Sequence, residues 1–138
     1  MEIRRRRGDA GSGRGPGRSR RHARCPLVRR GATPAILFAR EDGLRRELSW
    51  SELWDAVERL AAALRAQGVG LDDRIAAFMP NVPETVVGAL ATSAVGGIWS
   101  SCSPDFGVRG VLDRFGQIEP KILFTVDGYL YGGKRTDI

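Results

Sequence analysis

Histidine and cysteine are scarce in this chain. Its 138 residues contain one His, His22, and two Cys, Cys25 and Cys102. No metal-type spacing links them, which argues against a zinc site and a disulfide scaffold and for a reducing compartment, the cytoplasm. A Ser or Cys hydrolase would lack its base, because His22 is the only imidazole and no G-x-S-x-G elbow surrounds Ser101, Cys102 or Ser103. No apolar run approaches the ~18–20 residues that span a bilayer. The N-terminus also lacks the apolar stretch of a signal peptide, and it is too Gly-rich and Leu-poor for an amphipathic transit helix.

Acidic residues are missing from one end only. Residues 1–30 hold eleven Arg against Glu2 and Asp9, a surplus of nine positive charges. The other 108 residues hold eleven bases and fourteen acids, a deficit of three, so the overall charge of +6 belongs to the tail. A nucleic-acid function for the whole chain fails on that distribution. The tail, residues 1–25, reads RRRRGDAGSGRGPGRSRRHAR after its first three residues and has too few apolar side chains to offset the entropy of ordering. Disorder is therefore expected. Three readings of the tail stay open: a solvated tail or linker, a non-specific contact with RNA or DNA phosphates, or a GC-rich stretch read from a wrong frame or start.

What remains, residues 26–138, is patterned. Ala35–Ala39 is a short apolar run that predicts a strand, followed by a turn at Glu41-Asp42-Gly43. Ser49 and Glu52 form an S-x-x-E capping box that opens a helix over 50–67. Leu53, Val57, Leu60 and Leu64 recur along it at helical spacing, with Trp54 and Ala61 widening the stripe, and Gly68 stands where a left-handed cap is wanted. Arg74–Met79 reads as a strand buried on both faces. Asn81, Pro83 and Glu84 suggest a second capped start, for a helix to about Val95 whose Ala89, Ala91, Thr92 and Ala94 suit close packing on a sheet. A short strand over 98–100, a helix over 108–118 and a strand over 121–126 complete the series. The order β-α-β-α-β-α-β predicts an α/β fold: part of a doubly wound parallel sheet, with the next helix due after Asp127. Trp50, Trp54 and Trp99 are expected in the core.

Ligands of open α/β sheets bind beyond the carboxyl ends of the strands. Three segments qualify: 80–83, 101–107 and 128–135. In the second, hydroxyl groups are expected to satisfy backbone amides, with Pro104-Asp105 shaping the turn. In the third, Gly128 to Arg135 reads G-x-x-x-x-G-K-R, close to a phosphate-binding P-loop, but Arg135 replaces the magnesium-binding hydroxyl and Tyr129, Leu130 and Tyr131 are bulky for such a loop. Two other readings are a Gly132-Gly133 turn with a solvated basic pair, and Lys134 as a point charge on a ligand phosphate.

Longer motifs narrow the field. Residues 48–101 carry an S-W-x-E-L helix start, a G-V-G-x-x-D-R turn, an M-P-N-x-P-E segment and a G-G-I-W close. Together they resemble the opening of an AMP-forming acyl-CoA synthetase. The W-S-S-C-S-P-D-F-G stretch from Trp99 to Gly107, the V-L-D-R-F-G-Q-I-E-P-K stretch from Val111 to Lys121, and Asp127-Gly128-Tyr129 with Gly132-Gly133-Lys134 resemble the acetoacetyl-CoA synthetase branch. The likeness runs from about Pro26 to Lys134. It implies the fold of the large adenylate-forming domain and use of ATP, CoA and Mg2+ with acetoacetate as the small-molecule substrate. In related acetyl-CoA synthetases a basic residue at the position of Lys134 contacts a CoA phosphate, which implies that contact here; those enzymes have an Arg four positions earlier, where this chain has Leu130. The family's phosphate loop, magnesium-binding Glu, ribose-binding Asp and adenylating Lys have no counterpart here, so an incomplete piece with no catalytic residue of its own is expected, to which none of ATP, CoA and Mg2+ binds tightly. A ligase for another short acid and a non-catalytic truncated product are the alternatives.

Overall fold

The computed structural model describes residues 31–138. The tail, with His22 and Cys25, lies outside the described residues, as does the expectation of disorder there.

The first strand is not part of the parallel sheet. β1 (Pro34–Ala39) turns back on β2 (Arg45–Ser49) as an antiparallel hairpin, with Leu37 opposite Glu47 and Phe38 opposite Arg46. The intervening turn is closed by the Arg40 amide on the Leu44 carbonyl at 2.9 Å, with Gly43 at φ 90°. α1 (Trp50–Ala66) then starts as its capping box dictates. Ser49 Oγ accepts the Glu52 amide, and Glu52 Oε2 accepts the Ser49 amide at 2.8 Å. That carboxylate accepts two bonds from Ser49, which lower the Glu52 pKa. Leu53, Val57, Ala61 and Leu64 form the buried stripe. Gln67 caps the helix and Gly68, at φ 75°, reverses the chain as expected. Trp54 departs from expectation: it is 39% exposed, because it sits off the stripe, whereas Trp50 and Trp99 pack against the core.

Three strands make the parallel sheet, in the order β4-β3-β5. β3 (Arg74–Phe78) is central, and Ile75, Ala76 and Ala77 are fully buried, as a continuous apolar strand between two layers requires. β4 (Ile98–Cys102) and β5 (Ile122–Thr125) flank it, with Ile75 beside both Trp99 and Ile122. α1 and α2 (Pro83–Ala94) cover one face, and α3 (Gly107–Ile118) covers the other, with Phe115 packed on Ala76 and Cys102. Burying one large aliphatic such as Ile75 or Leu53 contributes about 1.5–3 kcal/mol. Leu112, Leu123 and Ile98 remain at least half exposed, so the second face is incompletely covered.

Two details of α2 differ from the sequence reading. Its cap is Val82, without a side-chain bond, because Glu84 reaches Arg46 at 2.8 Å instead of turning back toward Asn81. The residues that meet the sheet are Gly88, Ala91 and Thr92, while Ala94 is exposed. Thr92 is fully buried and donates to the Gly88 carbonyl at 2.8 Å.

After β5 the chain forms strands where a helix was expected. β6 (Gly128–Tyr131) pairs antiparallel with β7 (Lys134–Asp137), and Tyr131 faces Lys134 across the turn. Gly132 and Gly133 have φ of 59° and 73°, the left-handed pair that a two-residue hairpin turn demands. Among the described residues no helix is long and apolar enough to cross a membrane.

Candidate functional site

All three segments singled out at the carboxyl ends of the strands converge on one cleft of about 380 Å³. Pro80 to Val82 follow β3, Ser103 to Asp105 follow β4, and Val126 to Tyr131 lead from β5 into β6. A fourth wall, Phe38 to Glu41, comes from the β1–β2 turn and was not anticipated. The size lies within the range of about 300–1,000 Å³ usual for small-molecule sites.

The wall after β4 is braced internally. Ser103 caps a short 3-10 turn, Pro104–Phe106, by accepting the Asp105 amide, and its hydroxyl donates to Asp105 Oδ2 at 2.9 Å. Thus the Ser103 hydroxyl satisfies the turn, as its sequence context suggested. The other Asp105 oxygen accepts the Tyr129 hydroxyl at 3.1 Å. Burial first, and then the hydrogen bond to the Asp105 carboxylate, push the Tyr129 phenol up from its ordinary value. The phenol therefore stays protonated and keeps donating, tying the β6 wall to the β4 loop. Arg114 stacks 4.1 Å above the Phe106 ring and steadies the end of that loop.

The β1–β2 wall is held by two carboxylates with separate duties. Asp42 takes the Arg40 guanidinium and the Leu44 amide, which hold its carboxyl down at about 2. Glu41 reaches the far hairpin: its two oxygens accept the Gly132 amide at 2.9 Å and the Gly133 amide at 3.0 Å. The G-x-x-x-x-G-K-R segment is therefore a strand, a turn and a strand rather than the strand, loop and helix of a P-loop, and its turn amides hold a carboxylate of the same chain. A P-loop, which Arg135 and the bulky Tyr129, Leu130 and Tyr131 already argued against, is not what this segment forms.

Lys134 opens β7, exposed, directly after that turn. It does not line the cleft. Among the described residues no carboxylate pairs with it, while its neighbour Arg135 contacts Asp137 at 3.2 Å. The other lysine, Lys121, is structural. It joins Asp73 at 2.9 Å and the Gly68 carbonyl at 2.6 Å, clamping the entry of β5 to the loop before β3 and lowering the Asp73 pKa.

Sequence reasoning found three of the four walls and missed the contacts between them. Glu41 and Gly132 are 91 positions apart, and no local period or spacing encodes that meeting. Among the described residues no cluster of three or more His, Cys, Asp and Glu could hold a metal ion.

Residues 26–137 match the family described as AMP-binding enzyme. Over 112 residues the chain is 57% identical to acetoacetyl-coenzyme A synthetase of Rhizobium meliloti, covering 81% of this chain and 17% of that protein. It is 45% identical over 101 residues to acetoacetyl-CoA synthetase of Gallus gallus, covering 72% of this chain and 15% of the relative. Among solved structures, acetoacetyl-CoA synthetase from Streptomyces lividans superposes with a TM-score of 0.75 at 55% identity, over 77% of this chain and 16% of that one. The structure of CmiS6 superposes with a TM-score of 0.63 at 28% identity, over 72% of this chain and 24% of that one. The chain thus spans about a sixth of the length of the synthetases it resembles.

Proposed function

The chain belongs to the AMP-binding enzyme family, and from that premise we propose that it forms the N-terminal part of an acetoacetate–CoA ligase. The likeness to named acetoacetyl-CoA synthetases, in sequence and in fold, carries this reading. The reaction converts ATP, acetoacetate and CoA to acetoacetyl-CoA, AMP and diphosphate. It takes place in the cytoplasm on small-molecule substrates.

The described residues fit the CoA half of that chemistry better than the ATP half. Lys134 is exposed and unpaired by any described carboxylate, so it is available to a CoA phosphate as a compact positive charge. Leu130 is partly buried on β6 and offers no second cation, so the contact rests on Lys134. Among the described residues no carboxylate cluster suits Mg2+, and the Gly132–Gly133 amides hold Glu41 rather than a nucleotide phosphate. No adenylation step is assigned to these residues. ATP with Mg2+ supplies the activation of the carboxylate in the full-length ligase.

In this reading the segment contributes the first sheet strands and the walls of the strand-end cleft, with Asp105 and Tyr129 fixing one wall and Glu41 another. It contributes no catalytic residue and does not complete the reaction alone. The purified 138-residue chain is expected to show no acetoacetate-dependent ATP–diphosphate exchange. Exchange above the rate without acetoacetate would place catalytic groups within the chain and overturn this assignment.

A further inference from the structure

The contact between Glu41 and the Gly132–Gly133 turn has the form of an occupied anion site. Two successive backbone amides converge on one carboxylate, each taking a different oxygen. Successive N–H groups aimed into one concavity are a recurrent seat for phosphate. The left-handed φ values of both glycines aim them. A cation, Lys134, follows in the next position and is exposed.

The present occupant is held weakly. Glu41 is exposed, and no described cation pairs with it, because the neighbouring Arg40 is engaged by Asp42. Hydrogen bonds open to water contribute modestly, since each competes with solvation of the same groups. A phosphate monoester brings more negative charge and three acceptor oxygens to the same donors. We propose that Gly132, Gly133 and Lys134 form one anion site that Glu41 and a ligand phosphate occupy in alternation, so that phosphate binding releases the β1–β2 turn from the β6–β7 hairpin. Both released segments contribute to the lining of the cleft, Phe38 to Glu41 from one and Gly128 to Tyr131 from the other. Phosphate capture at the rim is thereby coupled to the width of the cleft. The identification of that phosphate with CoA rests on the proposed ligase function; the competition itself does not.

The test is a titration of inorganic phosphate into the 138-residue chain labelled with carbon-13 and nitrogen-15, followed at the Gly132 and Gly133 amide resonances. The Glu41→Ala variant is expected to bind on the order of fivefold more tightly than the parent, because removing an internal competitor raises the competent fraction. Equal midpoints, or amides that do not respond, overturn the proposal. In the parent chain, saturating phosphate is also expected to move the Glu41 carboxylate carbon to the shift of a free glutamate side chain. An unmoved carboxylate overturns the proposal even if the variant fails to fold. CoA and dephospho-CoA are compared in the same way with Lys134→Ala. If that variant binds CoA as the parent does while Glu41→Ala still tightens inorganic phosphate, the CoA assignment fails and the competition stands.

Discussion

Gly88 and Gly116 are both helical glycines, and replacing each with alanine is expected to shift stability in opposite directions. In an exposed helix interior, Gly→Ala stabilises by about 1 kcal/mol through backbone entropy. Gly116, near the end of α3, has nothing within 4 Å of the position its Cβ would take, so Gly116→Ala should gain up to that amount. Gly88 packs α2 against β4. A Cβ there would stand 2.7 Å from Trp99 Cη2 and 3.1 Å from Cζ3, against about 3.5–4.0 Å for an unstrained carbon contact. The indole cannot yield freely, because it packs against Phe124 at a centroid distance of 5.9 Å. Overpacking of this kind costs about 1–3 kcal/mol. Less the propensity gain, Gly88→Ala should destabilise by about 1 kcal/mol, leaving the two variants about 2 kcal/mol apart. Urea unfolding followed by tryptophan fluorescence measures both, since Trp99 itself reports the repacking. If Gly88→Ala proves as stabilising as Gly116→Ala, the close contact between α2 and β4 is wrong, and with it the placing of the second helix on the sheet.

Two further expectations concern local electrostatics and capping. Ser49→Ala removes the acceptor for the Glu52 amide at the start of α1 and should cost about 1 kcal/mol in the same unfolding assay; no loss would mean that the capping box does not set the helix start. Asp42 should titrate near 2 rather than at its ordinary 3.8, so its contribution to folding is present above 3.8 and is lost as pH falls through about 2. Carboxyl-carbon NMR reads that midpoint, Arg40→Gln should raise it toward 3.8, and a midpoint already at 3.8 in the parent chain would mean that the Arg40–Asp42 pair does not form.

Local rules read this chain well where partners are close in sequence and poorly where they are not. The Ser49–Glu52 box, the Gly68 cap and the Gly132-Gly133 turn are each settled within a few residues, and each stands as expected. The same rule failed at Asn81, because Glu84 found a partner 38 positions away in Arg46. β2 went unseen because Arg45, Arg46 and Glu47 are all exposed, so no alternation of apolar residues marks the strand. The expected helix after Asp127 gave way to a hairpin because Gly132-Gly133 supplies a two-residue turn that pairs its flanks at once. Strand ends told where a cleft would lie. The fourth wall and its Glu41 tie depend on a contact that only the folded chain creates.

The proposed role of residues 26–137 is that of the opening part of an acetoacetate–CoA ligase. Its most direct test replaces the matching segment of the Rhizobium meliloti acetoacetyl-coenzyme A synthetase with these residues and measures acetoacetyl-CoA formation with acetoacetate and with acetate. A folded chimera is expected, with an acetoacetate-dependent rate within about tenfold of the parent, a change of about 1.4 kcal/mol in the barrier. A folded chimera that forms no acetoacetyl-CoA would contradict the proposed role.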